Sequence, residues 1–178
     1  YKKHIVDEPV VAEDHVNEYR KNNVKSFVYY CCCQTHNNVP NRFLNMPLNR
    51  LRVLGAIMYV DDAKGLLHWG YNFYNSQLSI DHINPFLVPD ANARFPAGDA
   101  FIVYPGHNGV PLNSIREETY FDSLQDYSLL KMLEDIKGKE HTKQLLYRYK
   151  IYNYGNYQKD DNLCYLLHEE LVNQLKCN

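Results

Sequence analysis

The sequence predicts an α/β fold, built on a parallel sheet with helices between its strands. Residues 10–12, 24–32 and 65–69 are apolar runs rich in β-branched and aromatic side chains, which is typical of strands buried on both faces. Residues 13–22 and 48–60 lie between these runs and space their apolar side chains at helical intervals. This alternation favours parallel strands joined by right-handed crossovers.

The composition narrows the class of protein. The 178 residues are 45% hydrophobic and 22% charged, which is ordinary for a globular chain with a sizeable core. The formal net charge is -2 and Lys and Arg form no cluster, so a nucleic-acid partner is not expected. The apolar runs fall well short of the about 20 residues that a helix needs to cross a bilayer, so no membrane partner is expected.

A long irregular segment follows the third predicted strand. Residues 70–98 carry several amides and three prolines, and a further apolar strand is predicted at residues 99–104. A loop of this length inside a compact domain is usually functional or disordered. We therefore expect functional side chains in this loop or next to it.

The last third of the chain is predicted to be helical. Ser114 and Glu117 match a capping box, in which the hydroxyl and the carboxylate satisfy amides at a helix start. The helix that begins there carries apolar side chains at three- and four-residue steps and is expected to end at Gly138. Two shorter amphipathic segments, residues 141–149 and 163–175, complete the chain.

Aromatic and amide side chains cluster where the third strand ends. Trp69 is the only tryptophan and stands at the carboxyl end of this strand, with Asn72 and Gln77 just beyond it. An indole face can stack on the apolar face of a sugar ring while its N–H donates to a hydroxyl. Amides suit sugar hydroxyls because each can both donate and accept. A tryptophan buried in the core is the alternative interpretation.

The cysteines and histidines do not predict a metal site. None of the five cysteines forms a Cys-x-x-Cys pair, and the eight histidines show no His-x-x-x-His spacing. The absence of a disulfide framework favours a reducing, cytoplasmic location. Cys32 with His36 is one candidate nucleophile and base, although such cysteines are more often small buried fillers.

Short blocks of sequence, taken together and in order, resemble the C-terminal half of the catalytic domain of glycoside hydrolase family 123, also known as the domain of unknown function 4091. The blocks are residues 9–15, 29–32 with Gln34, 41–43, 65–77, 84–86, 95–99, 103–106 and 114–116. They span most of residues 9–130, and chance agreement of so many blocks is not expected.

The resemblance implies a chemistry. Characterised members of this family remove N-acetylgalactosamine from glycans and retain the anomeric configuration, because the acetamido group of the substrate acts as the nucleophile. An adjacent Asp–Glu pair assists: the Asp orients the acetamido group, and the Glu acts first as general acid and then as general base. Substrate-assisted enzymes of this kind depart from the usual scheme of two catalytic carboxylates. The resemblance implies no cofactor.

The resemblance also implies a (β/α)8 TIM-type barrel, of which this chain is the C-terminal portion. A full barrel needs about 250 residues. Residues 1–138 would supply the late strands and helices with the long 70–98 loop, and residues 139–178 a small helical C-terminal extension. An open set of barrel strands exposes unpaired edges, so the remainder of the barrel or another chain is an expected partner.

Asp7 and Glu8 form an adjacent acidic pair, which invites a catalytic assignment. In the family, however, the catalytic pair lies on an earlier strand, separated by further elements from the block that residues 9–15 resemble. Asp7 and Glu8 directly adjoin that block, so we interpret them as a chance likeness. This chain alone is expected to lack the catalytic pair, and no catalytic residue is assigned.

These observations lead to one functional prediction and two alternatives. Trp69 is expected to form the floor of a sugar subsite, and Asn72 and Gln77 to form hydrogen bonds with the hydroxyls of the sugar. Tyr30 is expected to line the opposite wall. The parent enzyme would act on N-acetylhexosamine-containing glycans. The first alternative is a non-catalytic carbohydrate-binding or scaffold protein derived from the same barrel. The second is an enzyme that depends on the cysteine named above.

Overall fold

A computed structural model describes residues 6–34 and 39–176. The strands are β1 (Val10–Ala12), β2 (Phe27–Tyr29), β3 (Gly65–Leu67), β4 (Tyr104–Pro105), β5 (Pro111–Leu112), β6 (Ile151–Asn153) and β7 (Asn156–Tyr157). The helices are α1 (Val16–Lys21), α2 (Leu48–Arg52), α3 (Leu54–Val60), α4 (Ile115–Lys137), α5 (Lys139–Arg148) and α6 (Leu163–Lys176). Within the described part of the chain, no helix combines the length and the apolar character needed to cross a membrane.

The three strands β1, β2 and β3 form a parallel sheet in that order, which confirms the predicted parallel arrangement. Val28, at the centre of β2, is completely buried. The second strand is shorter than the predicted 24–32 because the chain turns immediately after it. The Gln34 N–H donates to the Cys31 carbonyl at 3.2 Å and closes that turn.

The prediction of a strand at residues 99–104 is wrong for all but its last residue. Its amides bond to the long loop instead of extending the sheet: the Ile102 N–H donates to the Tyr71 carbonyl at 2.9 Å, and the Phe73 N–H donates to the Ala100 carbonyl at 3.1 Å. Only its last residue, Tyr104, lies in a strand, and β4 pairs antiparallel with β5. Apolar residues there are buried under the loop, which explains why their pattern resembled that of a strand.

The predicted helices are confirmed, with two divisions. Residues 13–22 begin as a short 3-10 helix, Glu13–His15, which α1 follows. Residues 48–60 form two helices, α2 and α3, which meet at Val53. The Ser114 hydroxyl accepts the Glu117 N–H at 3.2 Å and begins α4, and Gly138 ends it with a φ of 85°, a conformation that favours glycine. The Tyr71 hydroxyl donates to the Glu117 carboxylate. The other bond of the expected capping box, from the Ser114 backbone N–H to the Glu117 carboxylate, is absent from the hydrogen bonds of the described residues.

One hydrophobic core joins the sheet to the helices. It contains Val28 from β2, Leu54 from α3, Leu130 from α4, Leu146 from α5 and Leu171 from α6. The residues after α4 therefore share a core with those before it. The predicted boundary at residue 138 coincides with the end of α4, and its role as a domain boundary stays a prediction.

We expect Gly55→Ala to lower the free energy of unfolding by about 1–3 kcal/mol, the range typical of an overpacked core. A Cβ at this position, on the side of α3 that faces α4, would lie 2.0 Å from the Ser123 carbonyl oxygen. Urea denaturation measures the change. Gly155→Ala is the matched control, because its Cβ would meet only the Asn153 side chain, at 3.7 Å. Equal stability of the two variants would contradict this packing.

Candidate functional site

The carboxyl ends of β2 and β3 bring three ring side chains to one edge of the sheet. Tyr30 follows β2, and His68 and Trp69 follow β3. The Tyr30 and His68 rings meet edge to face with 5.0 Å between their centroids. Tyr30 is buried, and its burial raises the pKa of the phenol well above the ordinary value, so the hydroxyl stays neutral.

Asp99 is the buried carboxylate at the centre of this edge. The Trp69 indole N–H donates to its Oδ2 at 2.9 Å, and His68 Nε2 lies 3.5 Å from its Oδ1. The Arg42 guanidinium donates to the Asp99 backbone carbonyl at 2.9 Å. Asp99 is fully inaccessible to solvent, so these neighbours must replace the water that an anion would otherwise bind.

His68 is held in its neutral form. Its Nδ1 accepts the Gly70 N–H at 3.1 Å, so the proton of the neutral ring belongs on Nε2, facing Asp99. Burial lowers the His68 pKa below its ordinary value, although Asp99 acts in the opposite direction. The unfolded chain therefore takes up protons more readily, and the free energy of unfolding falls as the pH drops below about 6.5.

Two buried arginines hold the segments around Asp99. Arg42 precedes α2, and its burial lowers the pKa of the guanidinium to about 10. Arg116, in the first turn of α4, donates from one nitrogen to the carbonyl oxygens of Arg42 and Gly98, both at 2.8 Å. Both arginines lie in blocks that carried the family resemblance, but local sequence patterns predict no role for either. Their position in these blocks was the sequence signal that could have pointed to them.

Trp69 is partly exposed, which argues against a purely core tryptophan. About 40% of its surface is accessible, while its ring packs on Phe73 and Phe95 with centroids 5.2 and 5.0 Å away. Its N–H is already bonded to Asp99. The N–H is therefore not available for a sugar hydroxyl, and only the exposed part of the ring can offer a stacking surface.

Two concavities flank the loop that begins after Trp69. A cavity of about 150 Å³ is lined by Tyr30, Arg42, Leu66, His68, Tyr71 and Tyr120. A neighbouring cleft of about 240 Å³ lies between the start of the loop and the β4–β5 hairpin and includes Tyr71, Asn72, Tyr74 and Tyr104. Tyr71 lines both, and its hydroxyl is bonded to Glu117 of α4.

The four predicted sugar-binding residues are thus distributed unevenly. Tyr30 lines the cavity and Asn72 lines the cleft, whereas neither concavity is lined by Trp69 or Gln77. Gln77 is exposed and begins a short 3-10 helix, Gln77–Ser79. The sugar-binding roles of these residues stay predictions.

The cysteine-dependent alternative finds little support. A nucleophilic cysteine must be a thiolate, but desolvation together with the neighbouring Cys31 raises the pKa of Cys32 to about 12. The proposed base, His36, lies outside the described residues.

Asp7 and Glu8 are exposed and precede β1, at the opposite end of the sheet from Trp69. Glu8 Oε1 lies 2.6 Å from Nζ of Lys64, the residue just before β3. Exposed ion pairs of this kind contribute little to stability. Stability therefore gives no reason for two adjacent carboxylates at this position.

Comparison with known proteins identifies the family. Residues 1–133 match the model of the glycoside hydrolase 123 catalytic domain. The chain belongs to this family. A solved structure with a similar fold is a family 123 glycoside hydrolase from Clostridium perfringens, studied for glycolipid glycan hydrolysis, at 15% identity and a TM-score of 0.60. The match covers 96% of this chain and 32% of that one. No curated protein sequence matches this chain.

We expect Asp99→Asn to lower the His68 pKa further. The substitution keeps the side-chain size and an acceptor for the Trp69 N–H, but it removes the negative charge that favours the imidazolium. NMR titration of the His68 ring protons measures the shift. Circular dichroism of the variant, which should match that of the unmodified chain, is the control for its fold. An unchanged or higher His68 pKa would contradict the assignment of Asp99 as its charged neighbour.

Proposed function

We propose that this chain supplies a sugar-binding wall of a glycoside hydrolase that acts on N-acetylhexosamine-containing glycans. The observation that carries the proposal is the half-exposed Trp69 ring, fixed by the buried Asp99, at the carboxyl end of a parallel sheet. In parallel barrels, ligands bind at this end of the strands. Membership of the family supports a glycoside as the ligand.

The loop side chains fit a sugar chemically. The exposed part of the Trp69 ring offers an apolar surface to a pyranose, and the Tyr71 and Tyr74 rings extend aromatic surface into the cleft. The exposed amide of Asn72 can donate to one hydroxyl and accept from another. A site of this composition selects for ligands that have both apolar faces and many hydroxyls.

The concavities are small, which supports an incomplete site. Each has less volume than the about 300–1,000 Å³ of a typical ligand pocket. The chain spans about a third of the similar Clostridium structure. We therefore propose that it is the C-terminal part of a (β/α)8 barrel, and that the remainder of the barrel or another chain closes the site. The proposed chemistry needs no cofactor, and the free cysteines favour a reducing, cytoplasmic location.

We expect Trp69→Ala to weaken N-acetylgalactosamine binding about 5- to 30-fold, the factor that corresponds to the loss of one or two kcal/mol of stacking. Calorimetry on the intact protein that contains this chain measures the change. Trp69 is the only tryptophan of the chain, so sugar-induced quenching of its fluorescence, compared with the Trp69→Ala signal, gives a second readout.

Tyr165→Ala is the matched control, because Tyr165 is an exposed aromatic residue on α6. Its affinity should equal that of the unmodified protein. Asn72→Ala should cost about 2- to 10-fold, as expected for one neutral hydrogen bond. Wild-type affinity in the Trp69→Ala variant would exclude Trp69 from the sugar site.

A second candidate function makes Asp7 and Glu8 the catalytic pair. The family match starts at residue 1 and therefore includes both, whereas the blocks recognised in the sequence start at residue 9. They form the only Asp–Glu dipeptide of the chain. The mechanism that the resemblance implies needs such a pair, so this observation favours catalysis by the chain itself. The location of Glu8 beside Lys64, before β3, is the observation against it.

Turnover of a chromogenic N-acetylgalactosaminide by the intact protein separates these possibilities. If Asp7 and Glu8 are the pair, Glu8→Gln should lower the rate about 10²- to 10⁴-fold, as loss of a general acid does, and Asp7→Asn should also lower it. Asp135→Asn, an exposed carboxylate on α4, is the control. Unchanged turnover in the Glu8→Gln variant would exclude this candidate. Sugar binding without any turnover would favour a non-catalytic carbohydrate-binding protein.

A further inference from the structure

We propose that Cys31, Cys32 and Cys33 form a binding site for one soft metal ion, Cu(I), at the carboxyl end of β2. The three sulfur atoms all lie within 4.8 Å of one another, and those of Cys31 and Cys32 are 3.9 Å apart. Three sulfurs at about 2.3 Å from a common metal stand about 3.8–4.0 Å from each other. The sulfurs can therefore reach one ion after small side-chain rotations.

The backbone explains why consecutive thiols converge. In a continuing strand, neighbouring side chains would point to opposite faces, and Cys32 would point away from Cys31 and Cys33. The strand instead ends at Tyr29, and the Gln34 N–H closes a turn on the Cys31 carbonyl at 3.2 Å. This turn removes the alternation and places all three thiols together. No sequence pattern indicated this site, because the usual metal-binding patterns separate their ligands by intervening residues.

Buried amides hold the turn in place. The Cys31 N–H donates to Gln34 Oε1 at 2.9 Å. The Asn41 side-chain amide donates to the carbonyls of Cys31 and Gln34, at 3.2 and 3.1 Å. Gln34 and Asn41 are both buried. The sulfurs are therefore arranged before any ion binds, which reduces the ordering that binding would require.

The ligand set decides the ion. Sulfur ligands alone favour soft ions such as Cu(I) over Mg²⁺ or Ca²⁺, which prefer oxygen. Structural Zn²⁺ sites are closed by four protein ligands, whereas the cluster found among the described residues provides three sulfurs. Cu(I) is satisfied by two or three thiolates, and each bound thiol releases its proton to solvent as its bond to the metal forms. Cys33 is exposed, which gives the ion an entry path, while Cys31 and Cys32 are partly buried.

The site lies next to the proposed sugar-binding edge but does not depend on it. Tyr30, which lines the cavity there, directly precedes Cys31 in the chain. The metal proposal rests on the three sulfurs and the turn, so it stands or falls separately from the function proposed above.

Cu(I) binding is tested by competition with a chromogenic Cu(I) chelator, under anaerobic conditions and with a phosphine reductant that keeps the thiols reduced. The chain should retain one equivalent of Cu(I). Loss of a residue that only supports a metal ligand typically costs about 10- to 100-fold in affinity. Cys33 would be a ligand itself, so Cys33→Ser should lower the Cu(I) affinity by at least about 100-fold. Because Cys33 is exposed, this variant should keep the fold, which circular dichroism checks.

Cys164→Ala is the matched control, because Cys164 is a buried cysteine on α6 outside the cluster. This variant should bind Cu(I) with the affinity of the unmodified chain. X-ray absorption at the copper edge should show three sulfur neighbours around the bound ion. Retention of Cu(I) by the variant with serine at positions 31, 32 and 33 would overturn the proposal. So would two sulfur neighbours instead of three, or displacement of Cu(I) by an equal concentration of Zn²⁺.

Discussion

The buried carboxylate of Asp99 holds the long loop against the carboxyl end of the sheet. The loop leaves β3 at His68 and Trp69 and returns thirty residues after Trp69 at Asp99, whose side chain bonds to the Trp69 indole. Burial of an anion is costly unless charge and hydrogen bonds compensate for the lost water. The Trp69 N–H bonds to Oδ2 and the nearby Arg42 guanidinium offsets part of the charge, while Oδ1 has no hydrogen-bond partner among the described residues. The orientation of Trp69 is therefore tied to the closure of the loop.

The sheet has two ends with different chemistry, and the two functional candidates use opposite ends. Trp69, His68 and Tyr30 gather at the carboxyl end, where the aromatic surface and the cleft lie. Asp7 and Glu8 precede β1, beside Lys64. For Glu8 to protonate a sugar held by Trp69, the segment before β1 would have to cross to the carboxyl end of the sheet in the intact protein. The sugar-binding proposal requires no such rearrangement.

Local patterns predicted most of the elements, because periodicity and capping are local properties. The parallel β1–β2–β3 order and the helix from Ser114 to Gly138 followed from apolar spacing and from cap chemistry. Contacts between distant segments were not predictable in this way. The bond between Trp69 and Asp99 joins residues thirty positions apart, and the buried Arg116 reaches a carbonyl 74 positions away. The turn after β2 was missed because its cysteines continue the apolar pattern of the strand.

A crystal structure of the intact protein with N-acetylgalactosamine bound tests the central claim most directly. We expect a sugar ring within about 4 Å of the exposed part of the Trp69 ring, with a hydroxyl bonded to Asn72. The same structure would reveal which carboxylates face the acetamido group. A sugar bound without contact to Trp69 or to the loop after it would contradict the proposed sugar-binding wall.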